Sequence, residues 1–176
     1  DDHGAYLGPM VTWEVVTEKL RLEAVAADCA DQLTAINRCM AVIEFELDGT
    51  IRLANENFCA ALGYTLDEIR GKHHRMFVSP EYAASPDYRA FWAALGRGEF
   101  QAGQFKRITK SGKDIWIEAS YNPIFDASGK PYKVVKYATD ITEQKNSAAD
   151  SAGQLAAINR SMAASEFELD GPIRPA

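Results

Sequence analysis

The sequence lacks the cysteine and histidine spacings that mark metal sites or disulfide frameworks. Its three cysteines, Cys29, Cys39 and Cys59, are an odd number and do not fall at metal-ligand intervals. It also lacks a glycine-rich nucleotide loop and a serine-histidine-aspartate set that a fold would assemble. These absences argue against an enzyme, and unpaired cysteines predict a reducing, cytoplasmic location.

Long apolar runs and clusters of basic residues are missing as well. Without an apolar run of membrane-spanning length, we expect no direct membrane insertion of this segment. The net charge of −6 argues against nucleic acid or an anionic membrane surface as a partner. With 47% hydrophobic residues, the 176-residue chain predicts one ordinary domain with flanking segments.

A repeat divides the chain. Residues 27–54 recur 122 residues later as residues 149–176, with 20 of the 28 positions identical, and residues 1–20 resemble residues 126–145 more weakly. We therefore predict the following divisions. Residues 1–17 end a preceding unit with a strand over residues 5–17, residues 18–40 form a connecting helix, residues 41–143 form a complete unit, residues 144–163 form a second connecting helix, and residues 164–176 begin another unit.

The first connecting helix carries an apolar stripe at alternating intervals of four and three residues. The stripe comprises Leu22, Ala26, Cys29, Leu33, Ile36 and Met40. Such a stripe either packs on the sheet of its own domain or forms a parallel helix pair in a signalling dimer. Both alternatives remain open at the level of sequence.

Alternating and β-rich runs predict the strands of the complete unit. They cover residues 42–47, 51–54, 100–109, 114–125 and 132–141. Short helices are predicted at residues 55–62, after a capping box of Thr65 and Glu68, and at residues 88–95. This order predicts an α+β fold, a five-stranded antiparallel sheet with short helices over one face, flanked by amphipathic helices. Small ligands tend to bind in the concavity between such layers.

The complete unit resembles the PAS family, including its C-terminal PAC motif. The residues that carry this resemblance are Asp48-Gly49, Asn55-Glu56-Asn57-Phe58, Gly63-Tyr64, Asn122-Pro123-Ile124 and Asp140-Ile141-Thr142-Glu143. More narrowly, GKHHRMFV and WIEASYNPIFD are similar to the tandem PAS domains of bacterial methyl-accepting chemotaxis transducers of aerotaxis and biofilm-dispersion type. The resemblance implies a chemoreceptor module that senses oxygen, redox state or a small ligand. The alternative is a ligand-free dimerisation or scaffold module.

The resemblance also suggests candidate site residues. His74 falls where flavin-binding light sensors of this fold carry a photoreactive cysteine, so we expect His74 to face a pocket. The other candidate pocket residues are His73, Met76, Phe77, Trp92, Trp116 and Ala138. Each of the aromatic ones has an alternative interpretation as core packing, and a buried histidine is usually satisfied by a hydrogen bond.

Three cofactor states remain open for that pocket. In the first, His74 is the axial ligand of haem b iron, although Ala138 occupies the position where haem-binding aerotaxis-type domains carry a tryptophan. In the second, FAD stacks on Trp92 or Trp116, and Lys106 or Arg107 contacts its phosphates. In the third, no cofactor is tightly bound.

The end of the last strand is the predicted exit for a signal. Asp140 and Thr142 are expected to cap the outgoing helix and relay changes in the pocket to it. A homodimer through the flanking helices is the expected assembly, with a small ligand or gas as the other partner.

Overall fold

The computed structural model describes residues 8–169, with side-chain surroundings for residues 16–160. Its strands are β1 (Ala41–Phe45), β2 (Ile51–Ala54), β3 (Gln101–Ile108), β4 (Asp114–Phe125) and β5 (Pro131–Asp140). Its helices are α1 (Gly8–Cys39), α2 (Glu56–Leu62), α3 (Leu66–Ile69), a 3₁₀ turn (His74–Phe77), α4 (Pro80–Ala84), α5 (Pro86–Gly96) and α6 (Thr142–Leu169).

The strands form one antiparallel sheet in the order β2-β1-β5-β4-β3. Along β4, Ile115, Ile117, Ala119 and Tyr121 are buried while the residues between them are less buried, because successive side chains point to opposite faces. The buried face meets the helices between β2 and β3, so the core lies between them. The predicted α+β fold and its five-stranded sheet are confirmed.

Capping residues set the limits of the short helices. Asn55 accepts a hydrogen bond from the Phe58 amide at the start of α2, and Gly63 ends that helix in the left-handed region. The predicted capping box of Thr65 and Glu68 starts α3 and is confirmed. Serine caps followed by proline start α4 and α5, because proline is tolerated in the first turn.

Asparagine side chains tie the end of α1 to the domain. Asn55 Oδ1 also accepts from the Val42 amide at 2.9 Å, and its Nδ2 donates to the Met40 carbonyl at 2.8 Å. Asn57 Nδ2 donates to the Asn37 carbonyl at 3.0 Å. The last carbonyls of α1, which a helix leaves unpaired, are therefore satisfied by the α2 segment.

The structure corrects the prediction for the first residues. Residues 8–17 belong to α1 and not to a strand, and residues 5–7 of the predicted strand lie outside the described residues. A strand without a neighbouring strand leaves its backbone N–H and C=O groups unpaired, whereas a helix pairs them within the segment. Helix α1 is thus continuous through the boundary predicted between residues 17 and 18.

The apolar stripe of α1 does not pack on the sheet along most of its length. Leu22 and Leu33 are 64% and 53% exposed, and Ala26 and Cys29 are exposed as well. Near the end of the helix, Leu33 and Ile36 line a cavity of about 360 Å³ against the outer face of β1, β2 and β5. The stripe as a whole is an unpaired apolar face.

Helix α6 follows β5 after one residue and runs to Leu169. It therefore passes through the boundary predicted between residues 163 and 164, and the rest of the predicted next unit, residues 170–176, lies outside the described residues. Ala41 pairs with Ala138, so α1 enters and α6 leaves the sheet at the same end of two adjacent central strands.

Candidate functional site

The β1-β2 turn holds the histidine pair in place. The His74 amide donates to the Gly49 carbonyl at 2.9 Å, and His73 forms an isolated β-bridge with Thr50. Gly49 has φ +92°, and a Cβ there would lie 2.9 Å from the Trp92 ring and 3.0 Å from the His73 ring. Only glycine fits this turn, because both the backbone conformation and the rings exclude a side chain.

His74 lies inside a cluster of aromatic rings. Its side chain is 1% exposed. The surrounding rings, with centroids 5.4 to 6.1 Å away, belong to Phe45, Phe77, Tyr88, Trp92 and Tyr121. The expectation that His74 faces a pocket stays a prediction: its side chain is buried, and the space around it is filled by other side chains.

Both ring nitrogens of His74 have hydrogen-bond partners. Nδ1 lies 2.9 Å from the Tyr88 hydroxyl and Nε2 lies 3.1 Å from the Tyr121 hydroxyl. Nη2 of Arg107 donates to the same Tyr121 hydroxyl at 2.9 Å. These four side chains come from β3, β4, the 3₁₀ turn and α5, so one buried hydrogen-bonded chain links the sheet to the helical layer. We call these four residues the His74 chain.

Burial fixes the charge state of the imidazole. The pKa of His74 lies well below its usual value because of burial first, and then because of the positive charges of Arg107 and Lys136. A neutral imidazole has one donor and one acceptor nitrogen. We assign the direction in which every member has a partner: Arg107 donates to Tyr121, Tyr121 donates to Nε2, and Nδ1–H donates to Tyr88.

The tyrosines of the chain are held protonated. Burial raises the pKa of Tyr88 to about 12, although the neighbouring Trp92 N–H favours the phenolate. Burial also raises the pKa of Tyr121, against the opposing effect of Arg107. Both hydroxyls therefore keep their hydrogens at neutral pH.

The core contains buried basic side chains without a buried carboxylate. Among residues 16–160, the buried polar or charged side chains are His74, Arg107 and Lys136. The Lys136 ammonium lies 5.0 Å from the centroid of Tyr121 and 5.5 Å from that of Phe58, over the ring faces. Burial, and then Arg107, hold the pKa of Lys136 well below its usual value. Among residues 16–160, the two buried basic side chains therefore lie beside aromatic rings and not beside a buried carboxylate.

The other predicted site residues are only partly brought together. Phe77 and Trp92 contact His74, Met76 packs at the margin of the core, and Ala138 lies on the inner face of β5. His73 is half-buried, and its Nε2 lies 2.7 Å from the Asp48 carbonyl. Trp116 lies on the outer face, because the flanking Ile115 and Ile117 point inward. Trp92 and Trp116 therefore do not line one pocket, although the sequence predicted both as pocket residues.

The residues around His74 do not fit a haem. Iron at Nε2 would take the place of the Tyr121 hydrogen bond, and a flat macrocycle would need the volume that five aromatic rings fill. For a flavin, the two tryptophans lie on opposite faces of the sheet, and Lys106 is already paired with Asp114 at 2.7 Å. Arg107 and Trp116 do line a common groove at the β3 edge.

The junction between β5 and α6 is joined to Trp116. The Trp116 amide donates to Thr142 Oγ1 at 2.9 Å, and the Ile141 amide donates to the Trp116 carbonyl at 2.8 Å. Asp140 Oδ1 accepts from the Thr142 amide at 2.8 Å, and the Lys145 ammonium lies 5.2 Å from the Trp116 ring centroid. The predicted capping residues are therefore placed where α6 begins, and β4 supplies their anchor.

Sequence reasoning missed several members of the site. Tyr88, Tyr121 and Lys136 were not among the predicted site residues. The signal for Lys136 was available, because a lysine between Val135 and Tyr137 falls on the inward face set by Val134 and Ala138. Its partners, however, are 15 and 78 residues away in sequence, as Tyr121 and Phe58.

No group of three or more His, Cys, Asp or Glu side chains in the described residues is arranged to hold a metal ion. No helix of the described residues is long and apolar enough to cross a membrane. The buried His74 chain and the α6 junction are thus the two features on which a functional interpretation rests.

Comparisons with known proteins agree with the fold. A profile described as PAS fold matches residues 51–138. The biofilm dispersion protein BdlA of Pseudomonas aeruginosa is 49% identical over 141 residues, which cover 80% of this chain and 34% of that protein. The aerotaxis receptor of Escherichia coli K12 is 32% identical over 79 residues, which cover 45% of this chain and 15% of that protein.

Among solved structures, the PAS domain of a Colwellia psychrerythraea protein superposes with a TM-score of 0.58 at 20% identity, covering 65% of this chain and 98% of that one. The chain spans about a third or less of the two curated relatives. Because the PAS profile matches half of the chain and the sheet has the same fold, the chain belongs to the PAS-fold family of sensory domains.

Proposed function

We propose that this chain is a cytoplasmic, non-catalytic sensory module of a chemoreceptor, which detects oxygen, redox state or a small ligand and relays the change into α6. One observation carries the proposal. The His74 chain connects the 3₁₀ turn, α5, β4 and β3 through buried hydrogen bonds. A change at any member alters the others, because a buried polar group without a partner is costly.

The path from the His74 chain to the start of α6 follows strand β4. Tyr121 and Trp116 both lie on β4, and Trp116 holds Thr142 through its backbone. A small movement of β4 therefore changes the hydrogen bonds at the first turn of α6. Such a coupled element is what a two-state relay requires.

The positions of the flanking helices support a relay between units. Helices α1 and α6 join adjacent central strands at the same end of the sheet, and each junction is fixed by side-chain hydrogen bonds. The assignment of residues 1–17 and 164–176 to neighbouring units is part of this proposal. The recurrence of residues 27–54 at residues 149–176 supports it.

The proposed assembly is a homodimer through the flanking helices. The stripe on α1 exposes 64% of Leu22 and 53% of Leu33 and has heptad spacing. Leu53 and Tyr132, each 44% exposed, extend the apolar surface onto the outer face of the sheet. A charge at Leu22, introduced as Leu22→Glu, is expected to shift the sedimentation of the chain from dimer to monomer. Leu20→Glu makes the same change at a 60% exposed leucine off the stripe and is the matched control, which should keep the dimer.

The test of the relay uses Asp140 in the intact receptor. Asp140→Ala removes the oxygen that accepts from the Thr142 amide, and we expect loss of signalling output with unchanged folding of the sensor domain. Asp140→Asn keeps an oxygen acceptor and is expected to retain most of the output. An unchanged output in the Asp140→Ala receptor would remove the relay from the proposal.

A ligand-free dimerisation or scaffold module is the second candidate. The observation that favours it is the filled aromatic interior around His74. An absorption spectrum of the purified chain distinguishes the cofactor states, because haem gives a Soret band and flavin gives its own visible bands. A spectrum without either, combined with normal receptor signalling that no added small molecule or oxygen change modulates, would favour the scaffold.

A further inference from the structure

A groove runs along the free edge of the sheet, between β3 and the segment that leads into α4. Its volume is about 470 Å³, within the range of small-ligand sites. Its walls include Tyr82, Phe105 and Trp116, so much of the lining is aromatic. Ser79 and Arg107 also line the groove.

Arg107 is the unusual member of the lining. Its side chain is 3% exposed, and its Nε makes no hydrogen bond. Of the four other N–H donors, one on Nη1 donates to the Lys106 carbonyl at 2.7 Å and one on Nη2 donates to Tyr121 at 2.9 Å. A buried guanidinium donor without an acceptor is energetically costly unless a ligand supplies one.

The charged residues that line the groove favour a ligand with a single negative charge. Of the charged lining residues, Lys106 and Asp114 pair with each other at 2.7 Å. Arg107 is the remaining one, and among residues 16–160 no carboxylate is buried in the core beside it. A dianionic phosphate would be only half compensated by one guanidinium, whereas a monocarboxylate matches it in charge and shape.

The polar and aromatic groups are arranged for an amphipathic molecule. Ser79 Oγ accepts from the Tyr82 amide at 3.3 Å, and a hydrogen bond from Ser79 helps to lower the pKa of the Glu81 carboxyl, after a backbone hydrogen bond, so Arg107 is the group left for the charge of a ligand. The guanidinium carbon of Arg107 lies 4.9 Å from the Phe105 ring centroid, so an aromatic surface adjoins the charge. An apolar ligand body can thus cover the rings while its carboxylate meets Arg107.

We propose that this groove binds a small monocarboxylate with an aromatic or branched apolar body, and that Arg107 recognises the carboxylate. The inference deepens the proposed sensory function and rests on it for the consequence of binding. The consequence follows from the His74 chain, because the guanidinium that meets the ligand also donates to Tyr121, which bonds His74.

Isothermal titration calorimetry on the purified 176-residue chain tests the binding, with benzoate, benzamide and inorganic phosphate as probes. Benzoate is expected to bind at least about tenfold more tightly than benzamide, because one charge-assisted hydrogen bond is worth about a factor of ten. Phosphate is expected to bind more weakly than benzoate. Equal affinity for benzoate and benzamide, or preference for phosphate, would overturn the proposal.

Arg107→Gln is expected to weaken benzoate binding by about tenfold or more while leaving benzamide unchanged. Lys130→Gln removes the same charge from an exposed loop and is the matched control, with a change below about twofold. Loss of benzoate affinity in both variants, or in neither, would contradict recognition by Arg107.

A second binding test uses Gln104 at the rim of the groove, where a substitution does not disturb the core. Gln104 is exposed and lines the groove, so Gln104→Glu should weaken benzoate binding and Gln104→Lys should strengthen it, with no change for benzamide. The same response to both substitutions would overturn the proposal. Binding is read out directly, so failure here is distinguishable from failure of the relay, which the Asp140→Ala receptor tests.

Discussion

The hydroxyl of Tyr121 lies 3.1 Å from Nε2 of His74, joining a sheet residue to a helical-layer residue 47 positions earlier in the chain. Tyr121 also accepts from Arg107, so its single hydroxyl oxygen connects the Arg107 guanidinium to the His74 imidazole. Because His74 and Tyr121 are buried away from the groove, water is not available to replace a partner that either of them loses.

We predict that Tyr121→Phe lowers the free energy of unfolding by about 1 to 3 kcal/mol, because Nη2 of Arg107 and Nε2 of His74 both lose their partner. Urea denaturation measures the change. Tyr137→Phe on the half-buried outer face of β5 is the control, with an expected change within about 0.5 kcal/mol. Equal losses of unfolding free energy in Tyr121→Phe and Tyr137→Phe would mean that the hydrogen bonds of the His74 chain do not stabilise the fold.

The stability of the domain should fall as the pH drops below 6.5. Burial lowers the pKa of His74 from 6.5 in the folded state, so the unfolded chain binds the proton more strongly and is favoured by acid. The contribution is fully present above pH 6.5 and is lost progressively as the pH falls toward the folded-state pKa. Urea denaturation at a series of pH values measures this slope.

His74→Gln removes the titrating group from this slope while keeping one donor and one acceptor. We expect the variant to lose less stability than the parent between neutral pH and mildly acidic pH. His73→Gln is the comparison, because the pKa of the half-buried His73 is lowered less strongly, again through burial first and then Arg75. An unchanged slope in His74→Gln would show that His74 is not held neutral.

Lys136→Met is expected to raise the free energy of unfolding by about 1 kcal/mol or more at neutral pH, because methionine fills a similar volume without a charge to desolvate. Burial and Arg107 lower the pKa of Lys136 in the folded state, so the parent gains stability as the pH rises toward 10.5. The advantage of Lys136→Met should therefore shrink as the pH increases.

Thermal and urea denaturation of this variant measure the effect. Lys133→Met is the control, because Lys133 is partly exposed and pairs with Glu44 at 2.9 Å. That control should gain no stability. A destabilised Lys136→Met variant would indicate that contacts of the ammonium with Tyr121 and Phe58 outweigh its desolvation.

Thr142→Val should loosen the start of α6, because Oγ1 accepts from the Trp116 amide at 2.9 Å. Loss of a hydrogen bond worth about 1 kcal/mol predicts roughly fivefold faster exchange of the Trp116 amide hydrogen. Hydrogen exchange followed by NMR measures it, and Thr142→Ser keeps the hydroxyl as the control. Similar exchange rates in the parent, Thr142→Val and Thr142→Ser would show that the Thr142 hydroxyl does not hold the start of α6.

Much of the fold follows from local patterns. The alternation of Ile115, Ile117, Ala119 and Tyr121 predicts a half-buried strand, since side chains alternate with a period of two. Asp114–Phe125 occupies the predicted range, and the Thr65 capping box forms as predicted. Such features depend on residues within a few positions of each other, so sequence alone contains their cause.

The errors fell where distant contacts decide. The β-rich composition of residues 8–17 predicted a strand, but a strand needs a neighbour, and helix α1 pairs the backbone internally. Trp116 was predicted as a pocket residue together with Trp92. Side chains alternate along a strand, so Trp116 lies on the opposite face from its buried neighbours Ile115 and Ile117.

The sequence by itself determined the strands, their order along the chain and the short helices, because periodicity, turn residues and caps act locally, and its resemblance to the PAS family indicated the fold and drew attention to His74. Only the tertiary structure decided what His74 meets. Its tyrosine partners and the buried cations come from segments that become neighbours when β4 and β5 pair beneath the helices. Packing at that interface filled the expected pocket and left Arg107 facing the groove at the sheet edge.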